Sequence, residues 1–498
     1  MSSPFFETAY RRDPLARWLR GNLHAHSTRS DGRLDIQDVI RAYANLGHHF
    51  LMLSDHDVCA DFSGLEPCGL ILLRGNEVSA RGPHILHVGA ASKVEPLANR
   101  QAVIEAIRRD GGFAILNHPN WEDDFDHYPF ELLCALKGFT GIELFNGTVI
   151  EHAGNHLAVD KWDRLLSSGA RAWGFANDDS HQAHQVGLGW NVVRVRETTA
   201  AAILQALHTG NFYASSGVAI EEIYADGPVI HVRAPEADAI AVVGDHGWRW
   251  HWVEAGELSF DVSNVFSTYF RVECYGRAGR MAWSQPFFAK ELRERMERLE
   301  KAERPALKAL RVDHAPEHTG LLDDPLWSKA PAAEQFTLMS TGVEPPVRTT
   351  VHMLLAPSEL CLGARCEEPH LDKLRVAAKH DHHPGMYTDD SVEFFLGIDG
   401  DTRDYLQVLA NAAGFVNASP MGIDASRVPA VRCKAGRSPN GWCVDVRVPL
   451  AALQANSAPG ARWRFHICRN RPHASANSVW AWVGKSNHNP HKFGWLEF

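Results

Sequence analysis

Gly21-Asn22-Leu23-His24-Ala25-His26-Ser27-Thr28-Arg29-Ser30-Asp31-Gly32 is the stretch from which the chain is most informatively read. An extended segment sends residues i and i+2 to one face, so His24 and His26 project together as a two-nitrogen claw. Asp31 follows in a turn ending at Gly32, where the chain can fold back and add a carboxylate. A short histidine pair is by itself common, and it gains weight only from its repetition further along the chain.

Similar punctuation recurs along the next 150 or so residues. Leu51-Met52-Leu53-Ser54-Asp55-His56 is an apolar run ending in an acid and a histidine. Leu70-Ile71-Leu72-Leu73-Arg74-Gly75-Asn76-Glu77 ends in a glutamate. His84-Ile85-Leu86-His87, Ala114-Ile115-Leu116-Asn117-His118 and Phe175-Ala176-Asn177-Asp178-Asp179-Ser180-His181 continue the pattern. Each reads as a buried strand with a ligand-type residue at or near its C-terminal end, the end where a parallel α/β barrel gathers its active site. Helical stretches alternate with the strands. Ile36, Val39, Ile40, Tyr43 and Leu46 share a helical face before Gly47, and 103–109, 131–136, 157–166 and 199–207 repeat that periodicity. With Gly141-Ile142-Glu143-Leu144-Phe145 as a further strand, about seven strands are expected, short of the standard eight.

The set His-x-His, Ser-Asp-Gly, Ser-Asp-His, Gly-Asn-Glu, His-Ile-Leu, Asn-His-Pro and Asp-Ser-His, in this order, resembles the PHP (polymerase and histidinol phosphatase) metallohydrolases, and most of all their stand-alone phosphoesterase and esterase branch. The resemblance covers roughly the first half of the chain. It implies a distorted seven-stranded βα (TIM-like) barrel and a ligand set of His24, His26, Asp31, His56, Glu77, His84, His118, Asp179 and His181. By the same resemblance Glu77 bridges two metals, one held also by His24, His26 and Asp179, the other by His84 and His118. Asp31, His56 and His181 would hold a third. Some relatives carry histidine where Asp31 stands, so two or three ions are both open, and His87 competes with His84 for the inward position. Imidazole and carboxylate together suit Zn, Mn or Fe, and no thiolate belongs to the set.

With 498 residues the chain exceeds one ordinary core, and several domains are expected. A net charge of -10 argues against a nucleic-acid groove, which calls for a basic surface. The first twelve residues lack a signal-peptide apolar run and no membrane-length run follows, so a cytoplasmic, membrane-free protein is expected. Nine scattered cysteines without Cys-x-x-Cys pairs read as reduced thiols.

Beyond the barrel (1–219), residues 220–288 read as a small β appendix packed on it, and 289–306 as a charged, solvated connector helix. The final portion, 307–498, resembles a family 9 carbohydrate-binding module in Asp323-Asp324-Pro325-Leu326-Trp327, Asp389-Asp390-Ser391-Val392-Glu393-Phe394-Phe395, Gly441-Trp442 and His491-Lys492-Phe493-Gly494. Short β segments between Gly, Pro, Asn and Asp turns independently suggest a β-sandwich. The overall expectation is therefore α/β plus β. Trp480 and Trp482, two apart, are the candidate sugar platform, although core burial is the usual fate of such residues. The histidine-rich run 379–385 reads as a solvated loop.

The functional expectation is a metal-dependent hydrolase that uses a metal-bridging hydroxide to cleave phosphate mono- or diesters of a small molecule, a saccharide or sugar phosphate among the candidates. Asp179 and Arg29 are its expected catalytic residues, Arg29 through its forked donors to an anionic substrate oxygen. Two alternatives stand beside it: carboxylate or carbamate ester hydrolysis on the same metals, and a carbohydrate-recognition protein with a non-catalytic barrel. The oligomeric state is left open.

Overall fold

The computed structural model describes residues 5–498 other than 264, 266, 399–403, 475 and 485; of the first twelve residues, 1–4 lie outside the described ones. The chain divides into two compact units, 1–293 and 294–498.

The first ten strands of unit 1 are β1 (Arg17–Asn22), β2 (Phe50–Met52), β3 (Ile71–Leu73), β4 (Gly75–Val78), β5 (Ile85–Val88), β6 (Phe113–Leu116), β7 (Gly141–Asn146), β8 (Trp173–Asn177), β9 (Trp190–Val195) and β10 (Phe212–Ser215). They belong to two sheets. β4-β5-β6-β7-β8 forms one; β10-β9-β1-β2-β3 lies within the other. The closed barrel implied by the family resemblance is not found. β5 runs antiparallel to both β4 and β6, so the strands are not uniformly parallel. The two sheets touch through single bridges, Ala25 with Ser180 and His56 with Glu77. Ala25, Ser180 and His56 lie just past the ends of β1, β8 and β2, and Glu77 lies within β4.

Helices α1 (Ile36–Asn45), α2 (Arg100–Arg109), α3 (Phe130–Ala135), α4 (Val159–Ser167) and α5 (Ala200–Thr209) punctuate these strands. The Asp35 side chain caps α1 by accepting the Asp38 N–H, and Ile36, Val39, Ile40 and Tyr43 are buried. Leu46, expected on that face, is instead 47% exposed, because the helix stops at Asn45 and the chain turns at Gly47 (φ 73°). Val103, Ile104 and Ile107 of α2 share a core with Trp162 and Leu165 of α4 and with Ala114, Leu116, Ile142 and Leu144 of the β4–β8 sheet.

Residues 220–288 are β-rich. β11 (Glu222–Asp226), β12 (Val229–Arg233) and β15 (Glu257–Asp261) make a small sheet of their own. β13 (Ala239–Gly244), β14 (Trp248–Val253), β16 (Tyr269–Tyr275) and β17 (Met281–Ser284) extend the sheet of β10, with β18 (Phe287–Phe288) paired to β16. Buried Arg271 on β16 donates to both carboxylate oxygens of Asp163 on α4, at 2.8 and 2.7 Å.

Helix α6 (Lys290–Lys301) falls in the stretch read as a charged connector, and its described side chains from Arg293 to Glu300 are half-buried or exposed. Arg295 donates to the Thr341 carbonyl, and Glu300 pairs with Lys492 within unit 2. Unit 2 is a sandwich of two antiparallel-rich sheets. One contains Ser391–Gly397, Tyr405–Asn411 and Arg462–Asn470, the other Thr349–Leu355, Glu359–Glu367 and Gly441–Pro449. Their inner faces interleave Phe394, Val408 and Ile467 with Val351, Leu362 and Val444. Among the described residues no helix is long and apolar enough to cross a membrane.

Candidate metal centre

His24 and His26 lie just beyond the C-terminal end of β1, where Ala25 between them is pinned by the Ser54 hydroxyl to its N–H and the Ser54 N–H to its carbonyl. Both rings are buried. Gly32 allows the following turn to close: a Cβ there would sit 2.6 Å from the His26 carbonyl oxygen, so only glycine lets Asp31 return toward the claw.

Glu77, one residue into the bridge that joins the sheets, is the hub. Its Oε1 lies 3.1 Å from His84 Nδ1, 3.3 Å from His24 Nε2 and 3.4 Å from His118 Nε2; its Oε2 lies 2.9 Å from His56 Nδ1 and 3.7 Å from His26 Nε2. Asp179 Oδ1 stands 3.0 Å from both His24 Nε2 and His26 Nε2. Farther out, Asp31 meets His181, His56 and His26 at 3.4, 3.5 and 3.6 Å. Burial opposes ionisation of Glu77, but His24, His84 and His118 outweigh it and hold its carboxyl well below the usual range. His56 is pushed up to about 10: burial disfavours its charge, and Asp31 and Glu77 more than offset that.

The structure thus brings the whole expected ligand set together. It also separates His84 from His87, since His84 faces Glu77 and His87 lies 3.3 Å from Asp110 on the far side of β5. Two of the converging residues have left-handed backbone, His118 (φ 30°) and Asp179 (φ 55°), conformations uncommon for residues with a Cβ and concentrated at functional sites.

Several contributors were not anticipated from sequence. The buried Glu143 carboxylate accepts from His24 Nδ1 at 2.7 Å, the His118 backbone N–H at 2.9 Å, Asn146 Nδ2 at 2.9 Å and Asn177 Nδ2 at 2.8 Å. Its signal was a lone acid inside the apolar run 141–145. Asn117 Nδ2 donates to Glu77 at 2.6 Å. His127 stands beside His84 and His118, but both its nitrogens are engaged: Nε2 accepts the His84 N–H at 2.9 Å and Nδ1 donates to Glu122 at 2.7 Å. It supports the wall and leaves the centre to the other rings.

The donors fit divalent ions. His24-His26-Glu77, His56-Glu77-His84 and His26-Asp31-His56-His181 each bring their ligand atoms within 4.8 Å of one another. His24 Nε2, His26 Nε2 and His56 Nδ1 are buried with carboxylate oxygens 2.9 to 3.0 Å away but in no well-formed hydrogen bond, an arrangement of lone pairs and anionic oxygens that a shared cation would satisfy. All donors are nitrogen or oxygen, and no thiolate belongs to the set.

A cavity of about 310 Å³ opens over this centre, walled by Trp121 and Val149 and rimmed by Arg33, His152 and Gln182. Arg29, expected to face the substrate, is exposed and outside this lining.

In unit 2, Trp480 is 7% exposed and packs against Phe465 at 5.5 Å between centroids, so it forms no exposed platform; Trp482 is half-buried against a separate cluster that includes Phe395, Val483 and Phe493. The reason is that the strand ends at Val479, and the chain carries Trp480 into the interior. A polar cleft of about 490 Å³ lies elsewhere on the sandwich, lined by Tyr387, Glu393, Gln407, Asn417, Asn470 and His488 among others. Glu393 accepts from Gln407 Nε2 and Asn470 Nδ2, each at 2.6 Å. Of the 379–385 run, His383 and Pro384 reach the cleft, while His380 and His382 are exposed. A third acidic group, Glu368 with Asp390 and His473, is already met by Arg471, which donates to both Glu368 oxygens at 2.7 and 2.8 Å.

No family model matches the chain, and no curated protein matches it. Among solved structures, it is similar to a two-domain protein containing predicted PHP-like metal-dependent phosphoesterase from Bacteroides vulgatus, with 16% identity, 57% of this chain and 90% of that chain covered, and a TM-score of 0.33. It is similar to a carbohydrate binding module family 9 from Caldicellulosiruptor kristjanssonii in complex with cellotriose, at 17% identity over 39% of this chain and 93% of that one, TM-score 0.30. A lesion-specific endonuclease from Pyrococcus furiosus matches at 16% identity over 39% of this chain and 56% of that one, TM-score 0.30. PHP-like and family 9 structures are the two kinds the sequence motifs resembled.

Proposed function

We propose that unit 1 is a divalent-metal-dependent hydrolase acting on phosphate mono- or diesters of a small molecule. The observation that carries this reading is the convergence of His24, His26, His56, His84 and His118 on one buried carboxylate, Glu77. Divalent ions held there would bring a water toward neutral pKa and offset charge on ester oxygens. The chain's own part is to hold and orient. Glu143 fixes His24 as the Nδ1–H tautomer, leaving Nε2 to point inward. Asn146 donates to Asp179 Oδ2 at 3.2 Å, which restrains that carboxylate beside the claw. Trp121 and Val149 keep one side of the cavity apolar and limit water on that side.

Unit 2 we read as a saccharide-binding accessory that uses the cleft around Glu393 and Tyr387. Amide and hydroxyl groups there suit a neutral polyol, and Tyr387, 64% exposed, offers a ring face. The same metal donors would serve a carboxylate ester, so the deciding experiment is turnover of metal-loaded protein on aryl phosphate, aryl phosphodiester and aryl acetate side by side. Turnover of acetate alone would reverse the order of the two readings. No turnover with any of them in a protein carrying two or more metal equivalents would refute the hydrolase.

A further inference from the structure

Once the metal ligands are set aside, few groups lining the cavity of unit 1 are free to meet a substrate. Gln185 is committed, its Oε1 accepting the His181 and Gln182 N–H groups and its Nε2 donating to Glu151. The Thr148 hydroxyl donates to the Asp179 carbonyl at 2.5 Å. Trp121 and Val149 offer apolar surface. His152 and Gln182 line the rim as well, and Arg33 is the one arginine or lysine lining the cavity among the described residues.

Arg33 is held at the mouth by its backbone, whose N–H donates to the His181 carbonyl at 2.7 Å. That bond ties the Arg33 backbone to the strand-end turn carrying Asp179 and His181. No hydrogen bond or ion pair engages its guanidinium among the described residues. An unpaired guanidinium at the rim of a site otherwise rich in carboxylates is a charge with one evident use. Its planar fork matches the paired oxygens of a phosphoryl group, whereas a neutral carboxylate ester gives it nothing to neutralise. Arg29, four residues earlier, does not line the cavity.

We propose that Arg33 is the specificity-determining residue of the site: it binds the anionic oxygens of the substrate, and thereby makes the centre selective for esters that retain negative charge over neutral ones. This deepens the hydrolase reading and rests on it, yet it can fail separately.

The test compares the metal-loaded full chain with Arg33→Ala and Arg33→Lys on aryl phosphate and aryl acetate, together with calorimetric binding of inorganic phosphate. Loss of the guanidinium should lower kcat/KM for the phosphate about tenfold or more, while acetate turnover changes less than about twofold; lysine should restore part of the loss. Phosphate affinity should fall by about tenfold in Arg33→Ala. If both esters lose turnover equally, or if Arg29→Ala and not Arg33→Ala carries the loss, Arg33 is not the selector. Should the wild-type chain turn over no ester, the hydrolase reading has failed, and phosphate binding alone then decides: affinity unchanged by Arg33→Ala, or no binding by the wild type, overturns the proposal.

Discussion

The carboxylate of Glu143 lies 2.7 Å from Nδ1 of His24, and both groups are shut away from solvent. The same carboxylate holds the His118 N–H, so one side chain sets the orientation of two residues on different strands of the centre. Glu143→Gln keeps the shape but removes the charge that favours the Nδ1–H tautomer of His24. Metal affinity is expected to fall about ten- to a hundredfold, the usual cost of losing such an orienting partner. Competition with a chelator, read by elemental analysis, measures it; undiminished affinity would leave Glu143 a purely structural residue.

Glu77 lies within 3.7 Å of five imidazoles. The wild-type protein should carry two to three equivalents of Zn, Mn or Fe after reconstitution, and Glu77→Ala should lose more than one of them, because several donor groups share that carboxylate. Elemental analysis of dialysed protein decides this. Less than one equivalent in the wild type would defeat the metal-centre reading.

Trp480 belongs to the sandwich core, and Trp480→Ala should cost roughly 3 to 5 kcal/mol of unit 2 stability through the cavity it leaves. Exposed Tyr387→Ala should leave stability within about 0.5 kcal/mol of wild type while weakening saccharide binding. Amide exchange in strand Arg462–Asn470 reports the first effect, and titration with glucose and cellobiose the second.

His466 is fully buried between the rings of Phe395 and Phe493, at 5.3 and 5.2 Å, and burial lowers its pKa to about 3. A depressed histidine pKa means that the unfolded state, near 6.5, takes up the proton more readily. Its contribution is therefore present in full above about pH 6.5 and declines as pH falls toward 3, by up to about 1.4 kcal/mol per pH unit. His466→Phe should flatten this part of the pH dependence of exchange protection in Arg462–Asn470 between pH 7 and 5. An unchanged slope would mean that the ring is solvated in solution.

The sequence by itself supplied the candidate residues of the centre. His24, His26, Asp31, His56, Glu77, His84, His118, Asp179 and His181 were expected as ligands from the family resemblance of the motifs that carry them, most of them at or near the end of an apolar run bounded by turns, which is a local signal. The sandwich was legible for the same reason, from short apolar strands between Gly, Pro, Asn and Asp turns. Only the tertiary structure decided matters that depend on which side chains meet across distance. Whether β5 runs with or against its neighbours is set by pairing of strands far apart in sequence, and that pairing turned His84 inward and His87 toward Asp110. Glu143 looked like one acid in an apolar strand, and its role exists only because β7 passes behind both His24 and His118. Trp480 and Trp482 share the i, i+2 spacing of a platform, but the strand ends before them and burial of the larger apolar surface prevails. Arg29 and Arg33 are alike as residues four apart in a polar turn. Which guanidinium faces the cavity is fixed by the fold-back at Gly32 and the tie from Arg33 to His181, contacts that no local pattern encodes.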